Sequence, residues 1–384
     1  MTNPIPFIDL ATQRQRLGAA IDEAMMRVVN ATQFMMGPEV GKLEADLAAF
    51  CGAKHVISCS NGTDSLIMIL MAKGVGPGDA VLCPAFTFAA SAAAIARVGA
   101  TALFLDVSED TFNLDPESLK TGIRRARELN LRPVGLMSVD LFGQPADYDA
   151  IEPICAAEGL WLLSDSAQSF GAAYKGRKVG TIGMATSTSF FPAKPLGCYG
   201  DGGAILTDDA ELADVLRSIR IHGQGADKYE NVRVGMTGRL DTIQAAVLVE
   251  KLRIFPDEIE ARNRIAKRYN ALLADVAIVP EVAEGSTSVW AQYTLRLPGI
   301  DRDAFQAHLK GQGIPTAVYY GKPLHRQKAY EHFPAAGGNG LPVAERLATE
   351  VVSLPMHPYL SEEVQDRVVR AVKDALAAQQ RAAA

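Results

Sequence analysis

The sequence predicts an α/β protein in which a mostly parallel central sheet forms a large domain and a smaller α+β domain follows it. Between residues 37 and 210, short and nearly continuous apolar runs alternate with helical patterns, as expected for strands buried on both faces. After about residue 240, long helical patterns take over. The chain has 384 residues, 48% of them hydrophobic, which is enough to build two packed domains.

The large domain is predicted to cover residues 1–245. Its predicted strands span residues 55–59, 80–83, 101–106, 133–141 and 160–164. Its predicted helices span residues 65–74, 91–99, 116–129, 150–159 and 210–221. Strands connected by helices run parallel, and ligands of such sheets bind at the carboxyl ends of the strands.

The second domain is predicted to cover residues 246–384. Residues 240–251 form a strong helical pattern, which Pro256 is predicted to interrupt before a second helix over residues 258–273. Beyond them we predict a strand over 293–298, a helix over 303–313, a strand over 316–320 and a final helix over 361–376.

The composition argues against several classes of protein. The net charge of −6 provides no basic field for nucleic acid or anionic lipid. No apolar run reaches 18 residues and the start of the chain lacks a secretion signal, so neither a membrane span nor export is predicted. The five cysteines have no C-x-x-C spacing and form no ligand set with the six histidines. We therefore expect free thiols, no metal site and a cytoplasmic protein.

Lys194 is a candidate catalytic residue because of its unusual surroundings. It follows an apolar strand, stands between Pro192 and Pro195, and precedes several glycines. Rigid flanks can aim an amine, and glycines allow the backbone to approach a flat cofactor closely. A lysine in an ordinary turn is the alternative interpretation.

Three further segments lie where strands are predicted to end. Asp165 ends a buried strand and could hold the protonated ring nitrogen of pyridoxal 5′-phosphate (PLP), although a capping role is equally possible. Ser60 to Asp64 opens a helix, whose N-terminus could bind a phosphate or could be a plain helix cap. Phe88 could stack on a flat ring.

Together these motifs resemble the DegT/StrS family of PLP-dependent nucleotide-sugar aminotransferases, which have the aspartate-aminotransferase-like fold (fold type I). The resemblance runs over nearly the whole chain. The matching segments begin at Ile5, Ser60, Pro84, Asp165, Ser189, Gly200 and Arg239, and in the C-terminal part at Gly313, Tyr319, Pro323 and Ser353.

The resemblance implies a role for each candidate residue. Lys194 would form the Schiff base with PLP and move the proton, and Asp165 would pair with the pyridinium nitrogen. Gln168 would bond the ring hydroxyl, while Phe88 and Ala167 would lie on opposite faces of the ring. The phosphate would be held by Gly62, Thr63 and Ser189.

Residues 235–239 correspond to a family stretch that usually carries an asparagine contributed by the partner subunit to the phosphate. Here that position is Thr237, which keeps a donor but is shorter. Arg239 would contact a substrate anion across a homodimer interface, or else form a structural ion pair. Tyr319 and His325 would line the entrance for the nucleotide-sugar.

The function implied is transfer of an amino group from L-glutamate to a keto nucleotide-sugar. The segment around Lys194 is most similar to enzymes that aminate UDP-2-acetamido-2-deoxy-3-oxo-glucuronate in O-antigen synthesis. A 3- or 4-keto dTDP- or UDP-deoxysugar is an alternative substrate. A PLP-dependent sugar dehydratase is disfavoured because such relatives replace the lysine with histidine. A non-catalytic regulator would have no use for Lys194.

Overall fold

A seven-stranded sheet lies at the centre of the large domain in the computed structural model, which describes residues 5–338 and 340–383. The described residues form eleven strands, of which seven belong to this sheet. The eleven are β1 (His55–Cys59), β2 (Asp79–Pro84), β3 (Thr101–Leu105), β4 (Arg132–Val139), β5 (Trp161–Asp165), β6 (Ala173–Tyr174), β7 (Arg177–Lys178), β8 (Ala185–Ser189), β9 (Gly203–Thr207), β10 (Tyr293–Arg296) and β11 (Val351–Leu354). The order across the sheet is β1-β9-β8-β5-β4-β2-β3. Strand β9 is antiparallel to both neighbours and the other pairs are parallel, so the predicted class and sheet are confirmed.

Helices surround this sheet and continue into the C-terminal part. They are α1 (Leu10–Leu17), α2 (Ala19–Ala31), α3 (Pro38–Cys51), α4 (Gly62–Ala72), α5 (Ala90–Arg97), α6 (Pro116–Glu128), α7 (Tyr148–Glu158), α8 (Ala210–Ile219), α9 (Thr242–Leu273), α10 (Arg302–Gly311), α11 (Pro342–Glu350) and α12 (Glu362–Ala383). Helices α3 to α8 pack on the strands of the sheet. Four helices (α1, α2, α3 and α11) and four strands (β6, β7, β9 and β11) have no counterpart among the sequence predictions. None of the described helices has the length and apolar character needed to cross a membrane.

The predicted break at Pro256 is wrong, because α9 runs unbroken from Thr242 to Leu273. A proline inside a helix removes one backbone donor and costs roughly 3 kcal/mol. Here that cost is offset by burial, since the neighbouring Phe255 is fully buried and contacts the rings of Phe50 and Phe170. The domain boundary at 245/246 falls inside α9 and stays a prediction.

The C-terminal domain is built on the antiparallel pair β10–β11, with the second half of α9, α10 and α12 packed around one apolar core. The strand predicted over residues 316–320 is wrong. Only Ala317 pairs, through a bridge to Ser353, and the chain then turns. The turn places the Tyr320 ring against Phe86 and Phe88 of the large domain, which an extended strand would not do.

Candidate active site

The carboxyl ends of the central strands form one edge of the sheet, and the candidate residues lie along it. Asp165 ends β5, and Ser189 ends the neighbouring parallel strand β8. Pro84 ends β2 on the other side of β4, and Phe88 follows it in a loop. This edge is where α/β sheets bind their ligands, so the fold brings these predicted residues to one region.

Lys194 lies in a tight turn after β8, where its backbone N–H donates to the carbonyl of Phe191 at 2.8 Å. The turn is held closed by Gly197, since a Cβ there would stand 2.5 Å from the carbonyl oxygen of Pro192. Burial lowers the pKa of the Lys194 ammonium, and the negative charge of Asp165 acts in the opposite direction. Burial therefore favours the neutral amine of Lys194, whereas the charge of Asp165 favours the ammonium form.

Asp165 is buried, with 6% of its surface exposed. Its carboxylate accepts hydrogen bonds from Ser91 Oγ at 3.1 Å and from the Ala167 N–H at 3.3 Å. Burial raises the pKa of this carboxyl, which the Ala167 N–H and the charge of Lys194 partly counteract. A buried carboxylate of this kind is stabilised by a cationic donor, which the protonated ring nitrogen of PLP would provide.

The N-terminus of α4 approaches β8 closely enough to form an anion-binding cradle, which we call the α4 cradle (Gly62, Thr63 and Ser189). A Cβ on Gly62 would lie 2.6 Å from Ser189 Cβ, so only glycine fits without a shift. The helix is capped by Asn61, whose side chain accepts from the Asp64 N–H at 2.8 Å. The N–H groups of the first helical turn have no intrahelical partner and suit a phosphate. The site therefore fits PLP at both its ring nitrogen and its phosphate.

Gln168 is oriented by two hydrogen bonds. Its Oε1 accepts from the Phe142 N–H at 2.7 Å, and its Nε2 donates to the Tyr320 hydroxyl at 3.1 Å. The Tyr320 ring also lies 6.3 Å from that of Phe88, which is 57% exposed and so has a free face for stacking. Tyr320 thus touches two predicted cofactor contacts, and Ala167 lies between Gln168 and Asp165 in the turn after β5.

Sequence reasoning missed Tyr320 as a site residue. The resemblance placed Tyr319 at the entrance for the nucleotide-sugar and gave Tyr320 no role of its own. The bend after Ala317 leaves both tyrosines partly buried, and the Tyr319 ring lies 6.4 Å from Phe7. In the sequence, the two adjacent tyrosines at 319 and 320 were the signal that could have pointed to Tyr320.

Two predicted site residues form side-chain hydrogen bonds with residues outside the predicted site. Thr237 is exposed and its Oγ1 pairs with His222 Nε2 at 2.8 Å. His325 is buried, and its Nε2 pairs with Glu345 at 2.7 Å. This pairing gives His325 a structural role within the chain, and its predicted contact with substrate stays a prediction.

Arg239 is different, because its side chain makes no hydrogen bond or ion pair with any residue that the structure describes. Its Nε is buried and unpartnered. The segment before it is nevertheless fixed, since the Gly238 carbonyl accepts from the Ser60 N–H at 3.1 Å beside the α4 cradle. The alternative of an ion pair within the chain is therefore not seen, and a guanidinium near the site is left available for an anion.

Comparisons with known proteins agree with this geometry. The UDP-2-acetamido-2-deoxy-3-oxo-D-glucuronate aminotransferase of Pseudomonas aeruginosa is 47% identical over 93% of this chain and 96% of its own. An aminotransferase crystal structure from Brucella abortus superposes with a TM-score of 0.95 at 49% identity, covering 97% of this chain and 99% of that one. NtdA of Bacillus subtilis, solved with its bound cofactor PMP, gives a TM-score of 0.89 at 26% identity, covering 98% and 86%.

These similarities extend over nearly the whole chain. The protein is a PLP-dependent aminotransferase that acts on a nucleotide-sugar. The sequence profile of one family matches residues 15–373, which is most of the chain. The chain therefore belongs to the DegT/DnrJ/EryC1/StrS aminotransferase family.

Proposed function

We propose that the enzyme transfers the amino group of L-glutamate to UDP-2-acetamido-2-deoxy-3-oxo-D-glucuronate, with PLP bound covalently to Lys194. The observation that carries the proposal is that two neighbouring strands bring these groups to the same edge of the sheet. Asp165, a buried carboxylate, ends β5, and Lys194, whose pKa is lowered by burial, lies in the turn after β8. The name of the Pseudomonas relative supports the choice of sugar.

In this proposal the α4 cradle would hold the phosphate of PLP, and Asp165 would hold its ring nitrogen. When bound, PLP acts as an electron sink for the carbon that gains or loses the amino group. Gln168 is fixed by Phe142 and Tyr320 so that its amide faces one defined direction. Phe88 presents an exposed ring that would cover one face of the PLP ring.

Lys194 is the proton carrier of the proposed reaction. Burial favours its neutral amine, so Nζ, once released by the incoming amine of glutamate, would take the proton from the amine-bearing carbon. The same atom then returns a proton to the sugar carbon that receives the nitrogen. Asp165 would stabilise the positive charge of the ring nitrogen opposite it.

Arg239 is the proposed contact for a substrate anion. Its guanidinium has no partner among the described residues, and Arg pairs strongly with carboxylate or phosphate oxygens. The uronate carboxylate and the diphosphate of the proposed substrate are both anions of this kind. Tyr319 is half-buried at the same C-terminal turn as Tyr320 and is proposed to line the entrance for the sugar.

We also propose that the enzyme is a homodimer in which Arg239 serves the partner's site. The loop before α3 and the adjoining helix α2 expose an unusual number of large apolar side chains for a surface. They are Met26, Val29, Phe34, Met35 and Met36. This patch is joined to the segment that carries Arg239, because the Thr242 N–H donates to the Phe34 carbonyl at 3.0 Å.

The proposed compartment is the cytoplasm. All five cysteines are buried and free in the structure. Free thiols persist in a reducing compartment, whereas oxidising compartments favour disulfides. Cell fractionation with an antibody against the protein tests this assignment, and recovery in an extracytoplasmic fraction would contradict it.

The choice of sugar is tested by measuring kcat/KM for two keto sugars with L-glutamate as donor. We expect the UDP-3-oxo-glucuronate to be used far better than a dTDP-3-keto-6-deoxysugar, which lacks the carboxylate. The Arg239→Met variant should lose most of this preference if the uronate carboxylate is its partner. Preference for the deoxysugar would contradict the proposed substrate and leave the aminotransferase reaction intact.

The shared site is tested by mixing two impaired variants, Lys194→Ala and Arg239→Met, after unfolding and refolding together. Half of the dimers then contain one subunit of each variant. If Arg239 acts in the partner's site, each such dimer has one complete site, formed by Lys194 of one subunit and Arg239 of the other. About a quarter of wild-type activity should return. No recovery in a mixture that is dimeric by sedimentation would contradict the sharing of sites.

A further inference from the structure

A second carboxylate, Asp140, lies behind the candidate site and is fully buried. It follows β4, directly beside the end of β5. Its side chain accepts five hydrogen bonds within the protein. The donors are the Ala146 N–H (3.0 Å), Tyr148 Oη (2.6 Å), Ser164 Oγ (3.1 Å), Ser166 Oγ (2.9 Å) and Ser169 Oγ (3.0 Å).

Two of these donors, Ser166 and Ser169, flank Ala167 and Gln168 in the turn after β5. Asp140 also holds the start of this turn from its backbone, because its N–H donates to the Asp165 carbonyl at 3.0 Å. Asp140 therefore forms hydrogen bonds with the turn at Asp165, Ser166 and Ser169. The turn carries the carboxylate and the amide that the proposed function assigns to the cofactor ring.

The energetics favour a rigid arrangement. A buried charge is costly unless it is paired or hydrogen-bonded, and hydrogen bonds to a carboxylate are stronger than those between neutral groups. A fully satisfied buried network resists distortion, because moving any donor leaves a buried acceptor unmet. Burial raises the pKa of Asp140, whereas its hydroxyl and amide donors lower it and so favour the charged form.

We propose that Asp140 is a positioning residue for PLP, which fixes the 165–169 turn so that Asp165, Ala167 and Gln168 meet the cofactor ring in register. The inference rests on the proposed function of these three residues. Asp140 is not among the residues that the proposed function assigns to cofactor or substrate. It acts through the turn, and its negative charge also raises the pKa of Asp165.

The five donors provide a matched comparison, because some lie on the turn and others do not. The test pair is Ser166→Ala with Ser169→Ala, which removes both turn donors. The control pair is Ser164→Ala with Tyr148→Phe, which also removes two donors to Asp140 but from β5 and α7. For both double variants and for the wild type, we would measure the PLP dissociation constant, the visible circular dichroism of the bound cofactor and the unfolding temperature.

Both pairs should lower the unfolding temperature, since both remove buried hydrogen bonds. Only the test pair should weaken PLP binding, by about tenfold, and change the visible circular dichroism. Asp140→Asn, which keeps the shape and an acceptor for the Ala146 N–H, should change the same two cofactor readouts if the test pair does not fold.

Unchanged PLP affinity and circular dichroism in the test pair, or in Asp140→Asn, would overturn the inference. Equal changes in the test and control pairs would also overturn it, because general loosening would then explain the effect. A wild-type protein that binds no PLP would instead overturn the proposed function itself, so the two failures are distinguishable.

Discussion

Replacing Gly62 with alanine places a methyl group inside the α4 cradle. The new Cβ would lie 2.6 Å from Ser189 Cβ, whereas carbon atoms pack best at about 3.5–4.0 Å. The obstacle is the Cβ of Ser189, which is bound directly to the backbone and cannot rotate away. The start of α4 and the end of β8 must therefore separate by roughly 1 Å.

Overpacking of this kind typically costs about 1–3 kcal/mol. The strain arises at the place where the N–H groups of the first turn of α4 and the Ser189 hydroxyl must bind the same phosphate. If binding has to restore their spacing, the dissociation constant for PLP rises by about ten- to a hundredfold. We expect this loss with Lys194 intact and still able to react with PLP at high concentration.

Gly41→Ala is the matched control, because Gly41 lies exposed within α3 and a Cβ there has no atom within 4 Å. It should raise the free energy of unfolding by about 0.5–1 kcal/mol through helix propensity and leave PLP binding unchanged. The assay is titration of apo-protein with PLP, followed by absorbance, together with urea unfolding. Wild-type PLP affinity in Gly62→Ala would refute the reasoning about the cradle.

Four further variants test the site and Lys251, a buried residue of α9 that donates to the Gly197 carbonyl in the turn after Lys194. Burial lowers the pKa of Lys251 to about 8, so between that pH and 10.5 the unfolded chain binds more protons than the folded one. The free energy of unfolding, measured in urea, should therefore rise for the wild type by up to about 3 kcal/mol relative to Lys251→Met as the pH rises through this window. A difference that stays constant with pH would contradict the burial of Lys251. Tyr320→Phe should weaken PLP binding about three- to tenfold by removing the acceptor for Gln168. Tyr319→Phe should instead raise KM for the keto sugar, and equal effects of the two variants would refute their separate roles. Arg239→Met should raise KM for the keto sugar at least about tenfold yet change the free energy of unfolding by less than about 0.5 kcal/mol, because the guanidinium has no partner among the described residues. A large loss of stability would indicate a structural role for Arg239.

The site residues at the strand ends could be predicted because hydrophobic periodicity and composition are properties of short stretches of sequence. Asp165, Gly62 and Lys194 each follow a recognisable strand or turn, and parallel strands bring their carboxyl ends to one edge whatever the tertiary detail. The resemblance to a family then supplied roles that spacing alone left open, such as the choice between a cap and a ring contact for Asp165.

Other features depended on contacts between distant residues and could not be predicted from local pattern. Pro256 predicts a helix break, but the packing of Phe255 on Phe50 and Phe170 holds α9 together. The run 316–320 has β propensity, yet it turns where Tyr320 packs onto the large domain. Tertiary packing outweighed propensity in both cases.

The buried network around Asp140 was invisible in sequence for a different reason. Its serines are small polar residues without a spacing that identifies them, and Tyr148 joins them from helix α7. Such networks become apparent only when the donors and the carboxylate are seen to share one buried volume.

The central claim is that Lys194 is the covalent attachment point of PLP. The most direct test is reduction of the holoenzyme with sodium borohydride, which makes the carbon–nitrogen linkage permanent, followed by peptide mass spectrometry. We predict the cofactor mass on Lys194 and on no other lysine, and its absence from the Lys194→Ala variant. Attachment at another lysine, such as the buried Lys251, or no attachment in a protein that has bound PLP, would contradict the account.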